Sequence, residues 1–118
     1  MNMVSKRVAL ALAFTGLLYC LGAPQAGAQE VALTITITIK NHRFQPAEIK
    51  APAGKPIRLT VKNADPTPEE FESKALRVEK VIAGNSEGVF NLRPLQPGRY
   101  RFFGEYNEAT AQGYLVVE

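Results

Sequence analysis

The chain of 118 residues has no tryptophan, and it contains one cysteine, one histidine and two methionines. Cys20, Met1 and Met3 all lie in the first 20 residues. A single cysteine excludes a disulfide within the chain. Hydrolysis by nucleophilic catalysis needs a nucleophile beside a base, and one histidine without a nearby cysteine gives little basis for it. We therefore do not expect a hydrolytic enzyme.

The first 28 residues have the layout of a secretory signal peptide. Lys6 and Arg7 precede the apolar run of residues 8–22, and a small-residue A-x-A signal ends at Ala28. The run is short for a membrane-spanning helix, which needs about 20 apolar residues. Cleavage after Ala28 would leave one domain, residues 29–118, without cysteine or methionine. We predict export, and a periplasmic location if the source is Gram-negative.

The basic net charge gives no evidence for nucleic-acid binding. The formal charge of +3 falls by two when Lys6 and Arg7 are removed with the signal peptide. No run of basic residues interleaved with aromatic residues appears in the chain. We therefore expect no nucleic-acid partner, and contact with a membrane only through a partner protein.

Short strands dominate the pattern after the signal peptide. Residues 31–40 (VALTITITIK) alternate apolar residues with threonine, as a half-buried strand does. Residues 57–63 (IRLTVKN) alternate in the same way, and no segment has a sustained apolar period near 3.6. Seven or eight strands predict an all-β fold, a Greek-key antiparallel β-sandwich. Further strands are expected at residues 99–103 and 114–117, a short extended segment at 70–73, and weaker strand candidates at 78–82 and 88–92.

Four segments, in order and spacing, resemble the cupredoxin family. Together they cover nearly all of the chain after the signal peptide, and the resemblance implies a cupredoxin-like sandwich. They are residues 44–49 (FQPAEI), 53–57 (AGKPI) with its strand ending at Asn63, 95–102 (LQPGRYRF) and 113–117 (GYLVV).

The resemblance does not extend to the ligands of a blue-copper centre. Family members that transfer electrons through copper use an early histidine, then cysteine, histidine and usually methionine near the last turn. Here the cysteine position is Gly104, and the first histidine position falls at Glu69 or Glu70. The last turn, residues 105–112, has no histidine or methionine, and Asn107 stands where related sequences often have histidine. We therefore predict no blue-copper centre.

Acidic residues lie where the family holds its metal. Residues 70–72 (EFE), 78–81 (VEKV) and 102–105 (FFGE) resemble a subgroup of cupredoxin-like periplasmic proteins linked to bacterial iron-uptake permeases. Carboxylates are hard ligands that suit iron, manganese or Cu(II) better than Cu(I). The resemblance implies an iron permease, or another periplasmic component of iron uptake, as partner. It implies four metal ligands: Glu70, Glu72, Glu79 and Glu105.

Strand alternation leaves part of this ligand set open. It places Glu70 and Glu72 on one face and Phe71 on the other. Glu69 would share the side of Phe71 if the strand already begins there, and the two registers imply different ligands. His42, after the first strand, is either an ordinary loop residue or a further ligand if its loop reaches the acidic end.

Two functions from different classes remain open. The first is an accessory protein of iron uptake that binds iron or Cu(II) through carboxylates and assists ferrous oxidation at most, without a redox centre of its own. The second is a metal-free interaction module that docks a permease or other periplasmic partner. In that case the glutamates are solvated or pair with Lys74, Arg77 and Lys80.

Overall fold

The computed structural model describes Gly22 and residues 30–118. The predicted signal peptide, apart from Gly22, and its boundary at Ala28 lie outside the described residues. Among the described residues no helix is long and apolar enough to cross a membrane. In residues 30–118, one short 3-10 turn, Glu105–Asn107, accompanies nine strands. The strands are β1 (Leu33–Lys40), β2 (Arg43–Gln45), β3 (Glu48–Ala51), β4 (Ile57–Asn63), β5 (Glu69–Ser73), β6 (Val78–Ile82), β7 (Ser86–Leu92), β8 (Gly98–Gly104) and β9 (Gln112–Val117).

The strands form two sheets that pack around one core. The first sheet has the order β2-β1-β4-β7, and the second has the order β3-β9-β8-β5-β6. This confirms the predicted all-β sandwich. The pairing differs from a purely antiparallel one at two places, because β1 pairs in parallel with β4 and β3 pairs in parallel with β9. Parallel neighbours need a crossover, and here the connection between β1 and β4 passes through β3 in the other sheet.

The alternation in the sequence predicted the central strands well. In β1, Ile35, Ile37 and Ile39 are buried, and Leu33 at its start is 43% exposed. Strands β4 and β6 have the predicted bounds. Strands β2 and β3 were not predicted, because with three and four residues they are too short to show a period.

Four phenylalanine rings join the two sheets in the core. Phe44 meets Phe71 and Phe102 edge-on, with ring centroids 5.8 and 4.9 Å apart. Phe71 also lies 5.0 Å from Phe90. Such pairs contribute about 0.5–1.5 kcal/mol each beyond the burial of their area. Phe71 is fully buried, so its position decides which residues of β5 face outward.

Asp65 fastens the turn between β1 and β2 to the loop after β4. Asn41 and His42 have φ of 52° and 57°, as both central residues of a type I′ hairpin turn require. Their backbone N–H groups donate to the two carboxylate oxygens of Asp65 at 2.8 and 2.9 Å. The hydrogen bond from His42 is the largest cause that lowers the pKa of Asp65. The carboxylate is therefore stabilised in its charged form.

We expect Asp65→Asn to lower the free energy of unfolding by about 2–3 kcal/mol at neutral pH, because two hydrogen bonds to a buried carboxylate are weakened. The pKa of Asp65 is lower in the folded chain than in the unfolded chain. Its stabilisation is thus complete above about pH 4 and is lost as the pH falls through the folded pKa. Urea unfolding across this range measures both effects. Glu87→Gln, an exposed change on β7, is the control, and an Asp65→Asn variant as stable as this control would contradict the assignment.

Candidate metal centre

Four glutamate side chains meet on the outer face of the second sheet. Glu70 and Glu72 project from β5, Glu79 projects from β6, and Glu105 begins the 3-10 turn after β8. One carboxylate oxygen of each lies within 4.8 Å of the other three. These are the four residues predicted as ligands, and they are called the glutamate cluster below.

Strand register explains why these side chains meet. Strand β5 pairs with β6 so that Glu72 lies opposite Glu79, and directly opposed residues share a face of the sheet. On its other side β5 pairs with β8 so that Phe71 lies opposite Gly104. Glu105 follows Gly104 directly and so ends beside β5. Three separate segments thus each place carboxylates at one point.

Glu69 is not a member of the cluster, which answers the question of register. It lies on the side of Phe71 and is 2% exposed. Its carboxylate accepts hydrogen bonds from the backbone N–H groups of Glu70 and Tyr106 at 3.0 and 2.9 Å. It also accepts one from the side-chain nitrogen of Asn107 at 2.8 Å. The structure therefore places Glu70, and not Glu69, among the clustered carboxylates.

Gly104 is required by this arrangement. A Cβ atom at position 104 would lie 2.5 Å from Cδ of Glu69 and 2.8 Å from Cβ of Ala111. Any larger residue would displace one of them, so a side chain at 104 and the buried Glu69 exclude each other. The carboxylate of Glu69 thus occupies the space that a side chain would take at position 104, where the resemblance expects cysteine.

The neighbouring carboxylates raise the pKa of Glu70 and that of Glu72. Hydrogen bonding with Glu79 is the largest cause that raises the pKa of Glu70 to about 7, and desolvation and Glu105 add to it. Desolvation is the largest cause that raises the pKa of Glu72, followed by its contact with Glu105; Lys74 acts in the opposite direction. Like charges at this distance favour the protonated form. A bound cation would remove that repulsion.

Among residues 30–118, no basic side chain forms an ion pair closer than 4.0 Å with the glutamate cluster. Arg101, on β8, lies over the ring of Phe103 at 4.7 Å and pairs with Glu108 at 3.5 Å. Lys74, Arg77 and Lys80, the partners considered from the sequence, form no such pair.

His42 lies apart from the glutamate cluster, beside Asp65. Its Nδ1 is 3.7 Å from a carboxylate oxygen of Asp65, and the group of residues that could share an ion does not include it. The sequence did not predict the structural role of Asp65 or that of Asn63. The buried amide of Asn63 donates to the carbonyls of Thr67 and Ile82. The segment Asn63-Ala64-Asp65 before a proline was an available signal, since such residues often bond nearby backbone.

A family model and a protein of known sequence match this chain. The family model of a cupredoxin-like domain matches residues 8–117. An uncharacterised protein of Rickettsia prowazekii (strain Madrid E) is 44% identical over 85 residues, which are 72% of this chain and 68% of that protein.

Among solved structures, one similar fold is the metal-binding domain of the Cu(I)-exporting P-type ATPase CopA of Streptococcus pneumoniae D39. It has a TM-score of 0.64 and 22% identity and covers 78% of this chain and 99% of that domain. Another is auracyanin A, a blue copper protein of Chloroflexus aurantiacus, with a TM-score of 0.64, 16% identity and coverage of 75% and 100%. At these identities the likeness concerns the fold.

The raised pKa of Glu70 predicts a pH effect on the metal-free chain. Because the folded pKa lies above the usual value of about 4.3, the stability associated with Glu70 is complete below about pH 4 and is lost as the pH rises through about 7. Glu70→Gln resembles the protonated form. We expect a higher urea midpoint than that of the native chain at about pH 8, and a flatter profile between about pH 5 and pH 8.

The measurement is urea unfolding in the presence of a chelator. Glu87→Gln, which removes one exposed carboxylate from the first sheet, controls for the change in net charge. A Glu70→Gln profile that follows the native chain at every pH would show that repulsion within the cluster is absent.

Proposed function

This chain belongs to the family of cupredoxin-like domains, and we propose that it is an exported, metal-handling member that binds a hard cation through the glutamate cluster. The observation that carries the proposal is the mutual distance of at most 4.8 Å between the four carboxylate oxygens. With metal–oxygen distances of about 2.0–2.5 Å, ligand oxygens on opposite sides of one ion lie about 4–5 Å apart. One ion can therefore contact all four.

The chemistry of the donors favours iron or Cu(II) over Cu(I). Carboxylate oxygens are hard ligands, and Cu(I) prefers thiolate and thioether sulfur. Residues 30–118 contain no cysteine or methionine and a single histidine. At Gly104, where the family resemblance expects the cysteine, an added Cβ would collide with Glu69. A blue-copper centre does not fit these residues. Copper binding by proteins of similar fold is therefore no argument for such a centre in this chain.

The biological setting we propose is accessory work in bacterial iron uptake. The segments around the cluster resemble periplasmic proteins linked to iron permeases, and residues 1–28 have the layout of an export signal. The chain would hold iron for a permease, with no nucleic-acid partner. Assistance to ferrous oxidation is the furthest enzymatic role we propose, because residues 30–118 contain no cysteine for a blue-copper redox centre.

A metal-free interaction module is the second candidate. Val81 and Tyr106 are 51% and 52% exposed. Val81 lies opposite Glu70 in the sheet, and Tyr106 follows Glu105 in the 3-10 turn. A basic partner with apolar neighbours would neutralise the glutamates and cover these side chains. On this reading a permease or another periplasmic protein occupies the same face.

Calorimetric titration of the purified chain with Fe(II) under anaerobic conditions, and separately with Cu(II), tests the proposal. We expect one ion per chain in the native protein. The triple variant Glu70→Ala, Glu72→Ala and Glu105→Ala removes three of the four ligands, so its affinity should fall by about 100-fold or more.

A matched control removes the same charge from exposed positions outside the cluster. The variant Glu48→Ala, Glu87→Ala and Glu118→Ala should bind like the native chain. Equal affinity in the native chain and the cluster variant would overturn the metal proposal. Recovery of a partner by the metal-free native chain, and not by the cluster variant, would then favour the interaction module.

A further inference from the structure

Glu69 lies directly behind the glutamate cluster and bonds to two of the segments that carry it. One of its oxygens, Oε1, accepts from the backbone N–H of Glu70 at 3.0 Å and from that of Tyr106 at 2.9 Å. The other oxygen, Oε2, accepts from Nδ2 of Asn107 at 2.8 Å. A single buried carboxylate thus joins the start of β5 to the 3-10 turn that begins with Glu105.

The turn depends on this bond for its position beside β5. Gly104, the residue before the turn, supplies no side-chain cap, and the free N–H groups at such an end need acceptors. Hydrogen bonds to a charged acceptor are stronger than neutral ones. On the far side, Gly104 N–H donates to the carbonyl of Ala111 at 2.9 Å, and Ala111 N–H donates to that of Asn107 at 2.8 Å. The turn is therefore held on one side by Glu69 and on the other by the backbone hydrogen bonds of Gly104 and Ala111.

Close packing makes the contact specific to Glu69. The side chain is 2% exposed, and an added Cβ at Gly104 would come within 2.8 Å of Oε2 of Glu69. The carboxylate therefore has one available place, and the backbone N–H groups of Glu70 and Tyr106 are aimed at it. A shift of this carboxylate would break its bonds to the two segments that carry Glu70 and Glu105.

We propose that Glu69 is a positioning residue that sets the separation of Glu70 and Glu105, and thereby the affinity of the glutamate cluster for a hard cation. This inference rests on the proposed metal-binding function. A residue that only stabilises the core would behave differently, because its loss would weaken binding equally whichever cluster ligand is also removed. Glu79 offers the comparison, since it lies on β6 and has no bond to Glu69.

The test is a double-mutant cycle read with Tb³⁺, a hard trivalent cation that prefers oxygen ligands. Tyr106, next to Glu105, lies where it can sensitise the luminescence of the bound ion. The luminescence lifetime in H₂O and D₂O counts the water molecules on that ion. We expect Glu69→Ala to lower Tb³⁺ affinity by about 10- to 100-fold and to raise the number of bound water molecules, as Glu105→Ala does.

Measuring Glu69→Ala in the Glu105→Ala and Glu79→Ala backgrounds distinguishes positioning of the ligands from general stabilisation of the fold. The effect of Glu69→Ala should disappear when Glu105 is already alanine and should persist when Glu79 is alanine. An equal effect in both backgrounds would overturn this inference and leave the proposed function standing. No Tb³⁺, Fe(II) or Cu(II) binding by the native chain above that of the triple cluster variant would instead overturn the proposed function itself.

Two further variants keep the test decisive if Glu69→Ala does not fold. Glu69→Gln keeps one oxygen for the two backbone N–H groups, and its amide can pair with Asn107 after rotation of the Asn107 amide. It should retain most of the Tb³⁺ affinity and the native water count. Asn107→Ala removes one bond to Glu69 and should weaken binding only while Glu105 is present. A Glu69→Gln variant that folds with the native urea midpoint and yet loses binding as fully as Glu105→Ala would contradict positioning by hydrogen bonds.

Discussion

The burial of Phe71 between the two sheets is the constraint on which the acidic site depends. The ring contacts phenylalanines from both sheets, so it cannot leave the core without opening the aromatic cluster. Because side chains alternate along a strand, its inward position sends Glu70 and Glu72 outward and Glu69 inward. A slip of one residue would exchange these faces. The hydrophobic core thus decides which carboxylates face one another and which one becomes a structural acceptor.

The same strand carries carboxylates in opposite electrostatic situations. Glu69 is buried, and three N–H groups donate hydrogen bonds to its carboxylate. Glu70 is more exposed, yet its pKa is raised to about 7 through Glu79 and Glu105. The burial of a glutamate therefore does not by itself predict whether its pKa is raised. The arrangement disfavours four charged carboxylates side by side, which is the repulsion that a bound cation would relieve.

Much of the fold could be predicted from the sequence, because alternation in β1 and β4 and the turn at Pro97-Gly98 are local signals. The parallel pairings were missed because they depend on how the chain crosses between sheets. The four clustered glutamates were named from a resemblance, and strand pairing brought them together. The bonds of Glu69 to the 3-10 turn were not predictable, since they join residues 37 and 38 positions apart and no local pattern encodes them.

Asp65 holds the turn at Asn41 and His42 through two backbone N–H groups, and Thr110 adds a hydroxyl bond to the carbonyl of His42 at 2.6 Å. What the fold requires is a residue that accepts a left-handed backbone at each position and a carboxylate at Asp65. Asparagine, aspartate and glycine all meet the backbone requirement of such a turn. The imidazole of His42 makes a longer contact, 3.7 Å from Asp65, than the backbone N–H groups do. A His42→Asn chain would therefore offer a transition metal no imidazole and, within residues 30–118, no sulfur ligand.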